Sequence, residues 1–174
     1  IMYSVYQHWD PLKVCVVGQS YPPEFYSWIT DSHVRQLFER IAIETEEDYQ
    51  AIIAKLNEFG VRVLRPKIYE ATHYLLPDNS RYLAPPMTPR DYTLMVGTTF
   101  YDHTNHHPGW LSGWEPIIEH VRAQGNTVRR TPYQWINGAM VTRMGRDLYI
   151  GTRFFEKDPE IFRRVANREF TQTR

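Results

Sequence analysis

The chain has 174 residues, with 42% hydrophobic and 23% charged side chains, and its 20 basic residues balance 20 acidic ones. That length makes one ordinary domain, 1–174, with a core large enough to fold without disulfides, and the composition excludes wholesale disorder, collagen and coiled coil. A formal net charge of zero leaves no long-range field to draw in nucleic acid, an anionic membrane or a strongly acidic substrate, so binding is expected to be local.

The N-terminal run Ile1-Met2-Tyr3-Ser4-Val5 has neither the basic start nor the apolar stretch of a signal peptide. No apolar run approaches the ~20 residues that span a bilayer, so no membrane partner is expected. Leu12 to Val17, closed by Gly18, predicts a fully buried strand. The single cysteine, Cys15, lies inside it and has no internal disulfide partner, which favours a reducing compartment, the cytoplasm. Tyr21-Pro22-Pro23 opens an irregular stretch. Thr45, followed by Glu46, Glu47 and Asp48, predicts a helix N-terminus. Tyr49, Ile52, Ile53, Leu56 and Phe59 then form an apolar stripe up to Gly60. A strand over 61–64 follows and stops at Pro66.

Between Arg65 and Asp91 runs a proline- and tyrosine-rich excursion, read as a functional loop or cover rather than a domain boundary. A strand over Thr93 to Val96 ends on Gly97. A second amphipathic helix over 110–124, with Trp114, Ile117, Ile118 and Val121 on one side, ends at Gly125, and a strand over 127–129 follows. Met140–Arg143 and Leu148–Ile150 predict a hairpin turning through Gly145-Arg146-Asp147. Asp158, Pro159 and Glu160 predict the start of a third helix reaching Phe170. The order strand, strand, helix, strand recurs, which makes the class α/β. The helices are expected on a partly parallel sheet or on separate small blades.

Two stretches attract chemical interest. Pro85-Pro86-Met87-Thr88-Pro89-Arg90-Asp91 brings a stiff, proline-held approach to an acid at a strand mouth, although an Arg90–Asp91 pair or a simple turn cap accounts for the same residues. Gly138 to Leu148 is the hairpin just described. The cluster Asp102, His103, His106 and His107 has metal-ligand residue types, but its spacing fits no familiar helix or hairpin geometry. A solvated or substrate-covering loop without metal is expected there. The paired basics Arg129-Arg130 and Arg163-Arg164 are expected to be solvated or salt-bridged rather than a nucleic-acid track. The aromatic load of 5 Trp, 12 Tyr and 8 Phe includes Tyr21, Phe25, Tyr26, Trp28, Tyr69, Tyr74 and Tyr82 in irregular segments. Exposed aromatics there would favour an interface.

At these places the sequence resembles the amidinotransferases that act on arginine, including the glycine amidinotransferases, within the guanidino-modifying enzymes of pentein fold. Five segments are similar, in order: Trp9-Asp10-Pro11-Leu12-Lys13 leading to Val16-Val17-Gly18, Glu44 to Asp48, Gly60 to Pro66, Pro86 to Asp91 followed by Val96-Gly97, and Arg143 to Leu148. The resemblance implies a partial set of ββαβ blades of an α/β propeller, the N-terminal part of such an enzyme. It also implies a reaction: a cysteine thiolate takes the amidino group from arginine and passes it to an amine such as glycine, while carboxylates hold the guanidinium by forked hydrogen bonds and a histidine moves protons. That chemistry needs no metal or cofactor. Asp91, Arg90, Asn137, Met140 and Arg143 are the substrate-binding positions that the resemblance implies here.

The departures point the other way. Where the family has Phe-Asp-Ala-Ala-Asp, this chain reads Ile136-Asn137-Gly138-Ala139-Met140, so both acids are absent. The family's histidine and cysteine fall beyond Arg174, and Cys15 in an apolar strand is a poor nucleophile. Two readings stay open: part of an enzyme whose His and Cys are not in this chain, or a non-catalytic binding or assembly module that kept part of the fold. In either case half a propeller leaves edges and apolar faces open, so pairing with a complementary chain or with a second copy is expected, with Tyr21–Trp28 and Tyr69–Tyr82 as part of the contact.

Overall fold

In the computed structural model, which describes residues 1–68, 85–102, 108–130 and 138–151, small sheets alternate with helices, and the class is α/β. The chain forms two compact units. One comprises Leu12–Pro89 and His106–Ile117, the other Ile1–Pro11, Arg90–Asn105 and Ile118–Arg174.

In the first unit, β1 (Val14–Val16) and β2 (Arg62–Leu64) pair in parallel, with Cys15 opposite Val63. The expected fully buried strand is instead half-buried at all three positions, and Leu12 is 52% exposed. A two-stranded ribbon has only one neighbour on its hydrogen-bonding side and cannot enclose both faces. The crossover between the strands is α1 (Ser32–Glu58), far longer than the expected helix starting at Thr45. Its N-cap is Asp31, whose carboxylate accepts from the backbone N–H of His33 at 2.9 Å and of Val34 at 3.0 Å. Thr45 sits mid-helix, where its hydroxyl donates back to the Ile41 carbonyl at 2.7 Å, so the side chain that reads as a cap is satisfied inside a continuing helix.

The end of α1 follows the sequence closely. Gly60 takes φ 72°, its N–H bonds to Asn57 O at 2.9 Å, and the N–H of Val61 bonds to Leu56 O at 3.0 Å, a Schellman stop. Along the helix Phe38, Tyr49, Ile53 and Leu56 are half-buried and Ala42 is buried, while Ile52 and Phe59, expected on the apolar stripe, are exposed.

The aromatic stretch after β1 is core rather than interface. Pro23–Trp28 forms a 3-10 helix, Tyr21 and Phe25 stack with centroids 3.9 Å apart, and Tyr26 meets Phe25 edge-on and Phe38 of α1. Tyr21, Phe25 and Tyr26 are buried with Ala42, and of this group only Trp28 is exposed. Shielding three large rings from water, at about 2–3 kcal/mol each, outweighs leaving them for a partner. Tyr69, Tyr74 and Tyr82 lie outside the described residues.

In the second unit, β3 (Thr93–Val96) and β4 (Thr99–Asp102) form an antiparallel pair around Gly97 at φ 55°, and β5 (Thr127–Arg130) lies parallel to β4. The sequence shows no alternation across β4 because this central strand is buried at all four positions. The crossover from β4 to β5 is α3 (Pro108–Ala123), divided between the units after Ile117, and its Trp114, Ile117, Ile118 and Val121 are all buried, as their spacing predicts. It ends as α1 does: Gly125 has φ 92°, its N–H bonds to Arg122 O, and the Asn126 N–H reaches Val121 O. Strand, strand, helix, strand therefore occurs once in full among the described residues, as β3, β4, α3 and β5, and β1, α1 and β2 repeat its last three members.

The hairpin β6 (Val141–Met144) and β7 (Asp147–Ile150) closes on a two-residue connection, Gly145-Arg146, with Asp147 already paired to Met144. The N-terminal segment stitches this unit together: Val5 bridges Gly97 and Gln7 bridges Met144. The buried Asn126 side chain accepts from the Tyr3 N–H and donates to the carbonyls of Tyr3 and Thr98. Among the described residues there are three sheets, and none of them is closed. The third expected helix, Asp158–Phe170, lies outside the described residues, and among those residues no helix is long and apolar enough to cross a membrane.

Candidate functional site

The residues singled out by sequence come together around the start of β3 and the hairpin. Arg90 and Asp91 lie in a short helical turn, α2 (Pro89–Tyr92), that leads directly into β3. Asp91 is exposed at this entrance. Arg90 does not pair with it. The guanidinium instead donates to the Gly138 carbonyl at 2.9 Å and the Val141 carbonyl at 3.3 Å, which ties α2 to the 3-10 turn Gly138–Met140 that opens β6. The turn sits so close that a Cβ on Gly138 would lie 2.6 Å from Arg90 O and 2.7 Å from Thr93 O, so a side chain there has no room. Met140 is half-buried in this turn, and its carbonyl accepts the Gly151 N–H. Asn137 lies outside the described residues.

Arg143, in β6, is the least satisfied charge of this group. Its Nη1 donates to the Met95 carbonyl, Nη2 lies 3.3 Å from His8 Nδ1, and its own backbone N–H lies 3.2 Å from His8 Nε2. A neutral imidazole has one acceptor nitrogen, so only one of the last two contacts is a hydrogen bond in a given tautomer. The Nε of Arg143 is buried and has no partner among the described residues. Burial, and then the neighbouring Arg90, depress the basicity of Arg143, and burial followed by Arg143 and Arg90 holds the His8 imidazole below its usual range. Beside them, Val5, Tyr6, Val96, Gly97, Arg143, Gly145, Arg146 and Leu148 enclose a pocket of about 150 Å³.

A second arginine cluster, in the other unit, was not legible as a site. Arg65, directly after β2, grips Glu46 of α1 with Nη1 and Nη2 at 2.8 and 2.9 Å, and Nε and Nη2 reach the Gly18 carbonyl at 3.1 and 2.8 Å. Its guanidinium carbon lies 5.3 Å from the centre of the Tyr49 ring, and the Tyr49 hydroxyl donates to the Met87 carbonyl at 2.9 Å. The hydrogen bond from Arg65 holds the Glu46 carboxyl below its ordinary range. Gln19 N–H to Pro86 O completes the anchorage of the proline segment, which lies so near Gly18 that a Cβ there would be 2.0 Å from Met87 O. Glu46 and Arg65 are 19 residues apart, so no local spacing announces the pair.

Burial raises the pKa of Cys15 above the usual thiol value, away from the thiolate that nucleophilic catalysis needs. Asp102, read as part of a histidine-rich loop, is instead the buried last residue of β4. His103, His106 and His107 lie outside the described residues, and those residues contain no group of three or more metal-ligand side chains.

No family model matches the chain, and no curated protein matches it in sequence. Its structure is similar to that of an inosamine-phosphate amidinotransferase from Streptomyces griseus, with a TM-score of 0.61 and 20% identity over 83% of this chain and 53% of that one. It is also similar to an amidinotransferase of saxitoxin biosynthesis from Microseira wollei, with a TM-score of 0.60 and 15% identity over 91% of this chain and 59% of that one. The chain thus shares the amidinotransferase fold to which the ordered motifs point, and it spans little more than half the length of these two proteins.

Proposed function

We propose that this chain is part of an amidinotransferase-like protein, cytoplasmic and built on pentein-type ββαβ blades, in which Asp91 contacts a guanidino or amine substrate. The fold shared with two amidinotransferases over most of the chain carries the reading. The order of the motifs around Asp91 and Arg143 agrees with it. Asp91 suits the role chemically: it is exposed, free of Arg90, and held on a turn whose approach is fixed by prolines and by Arg90's bonds to the hairpin.

The thiolate and the histidine of the transfer come from outside this chain in this proposal, since Cys15 is held as a thiol inside β1. The amidino group of arginine would move to that external sulfur with release of ornithine, and from sulfur to the acceptor amine. The partner is the remainder of the fold. In keeping with this, α1 leaves Val34, Leu37 and Ile41 exposed at three- and four-residue spacing, a stripe that a complementary element would cover.

The test is an amidino-transfer assay with guanidino-labelled arginine and glycine. The isolated chain should show no transfer, and the complete assembly should lose at least about tenfold in kcat/KM on Asp91→Asn, as expected for one charge-assisted substrate contact. Transfer untouched by Asp91→Asn would remove the site, and an amidinated Cys15 would overturn the division of roles. A complete assembly that binds ligand but never transfers the group would favour the non-catalytic module, the reading suggested by Met140 in place of an acid.

A further inference from the structure

The pocket beside the hairpin is built from cations with no acid among them. Arg143 and Arg146 both line it, and no carboxylate among the described residues pairs with either one or with Arg90 behind them. Arg146, in the hairpin turn, is exposed and makes no hydrogen bond or ion pair among the described residues. Arg143 spends Nη1 and Nη2 on the Met95 carbonyl and His8, neither of which carries the negative charge a buried guanidinium needs, and its Nε–H is left over. The walls contributed by Val5, Val96 and Leu148 are apolar, which strengthens any charge interaction inside. The remaining polar side chain of the wall is that of Tyr6.

Two guanidiniums with unused donors repel a cationic ligand and match the planar or tetrahedral oxygens of an anion, which they can bind in a forked arrangement. We propose that this pocket is an oxyanion site that takes a phosphate or carboxylate group between Arg143 and Arg146. It goes beyond the amidino-transfer reading and stands without it, because all of its residues lie in one unit and none of the argument uses Asp91 or the missing nucleophile.

The experiment titrates the protein calorimetrically with inorganic phosphate, and separately with succinate, at pH 7.5 and constant ionic strength. Saturable binding of at least one is expected. Phosphate alone would assign a phosphoryl ligand, succinate alone a carboxylate. Arg146→Gln, which removes an exposed side chain that makes no hydrogen bond or ion pair among the described residues, should weaken binding about tenfold, the scale of one lost charge-assisted contact. Arg40→Gln removes the same charge from α1, where Arg40 pairs with Glu44, and should leave the affinity unchanged. The amide resonances of Gly97 and Gly145 should shift during the titration. No saturable binding of either anion, or equal weakening by Arg40→Gln and Arg146→Gln, would overturn the proposal.

Discussion

Arg65 and Arg143 are both half-buried and both hold strands to something else, yet they meet opposite surroundings. Arg65 finds a carboxylate, a carbonyl and an aromatic face, so each of its three guanidinium nitrogens has a partner within its own unit. Arg143 finds a carbonyl, an imidazole and a second arginine. The first arrangement is a brace, because a charge neutralised by its own fold has nothing left to offer a ligand. The second leaves positive charge unneutralised in a partly dry place, which is costly to folding and useful for binding.

The sharpest way to break the brace is Gly18→Ala. The new Cβ would fall 2.0 Å from a backbone oxygen, and neither β1 nor the segment carrying Met87 can move without releasing Arg65 or Tyr49. A loss of about 3 kcal/mol in urea unfolding is expected. A loss under about 1 kcal/mol would show that the proline segment is not held as described.

Arg65→Gln should cost about 2 kcal/mol, the scale of a broken charge-assisted network. It should also change the acid limb. The folded-state pKa of Glu46 is depressed, so its contribution to stability is present above the unfolded carboxyl value, about 4.3, and is lost as pH falls through the folded value. In Arg65→Gln that acid-linked loss should shrink; an unchanged slope between about pH 5 and pH 3 would separate Glu46 from the brace.

In the other cluster the dependence has the same sign although the group is a base, because here too the folded state holds the proton less tightly. His8 has a folded pKa below its unfolded value of about 6.5, so the fold prefers it neutral, and stability present above that value falls as pH drops toward the folded pKa. His8→Gln should remove this dependence with a change well under 1 kcal/mol at pH 7.5, measured by thermal unfolding across pH 5 to 8. A His8 resonance titrating above 6.5 would contradict the burial and the cationic surroundings that lower it. The smallest effect belongs to Cys15→Ala. It should leave any activity of the assembly unaltered, and the native thiol should react slowly with a disulfide reagent at neutral pH.

How far the sequence determined this protein depends on how local each signal was. Gly60 and Gly125 could be read as helix stops because a Schellman turn needs a residue that tolerates positive φ, and that need is met within six residues of chain. The buried face of α3 and the tight hairpin at Gly145-Arg146 are equally local, since period and turn chemistry are written in adjacent positions. Thr45 misled because one hydroxyl serves a helix start and a helix interior equally well, and only the continuous path from Asp31 decides between them. Family motifs read in order pointed to the shared fold without any geometry. The tertiary structure alone decided where the rings of Tyr21, Phe25 and Tyr26 go, which acid Arg65 would find, and that Arg90, Arg143 and Arg146 would gather without one among the described residues. Burial and charge pairing are sums over neighbours far apart in the chain, and no spacing along the sequence carries them.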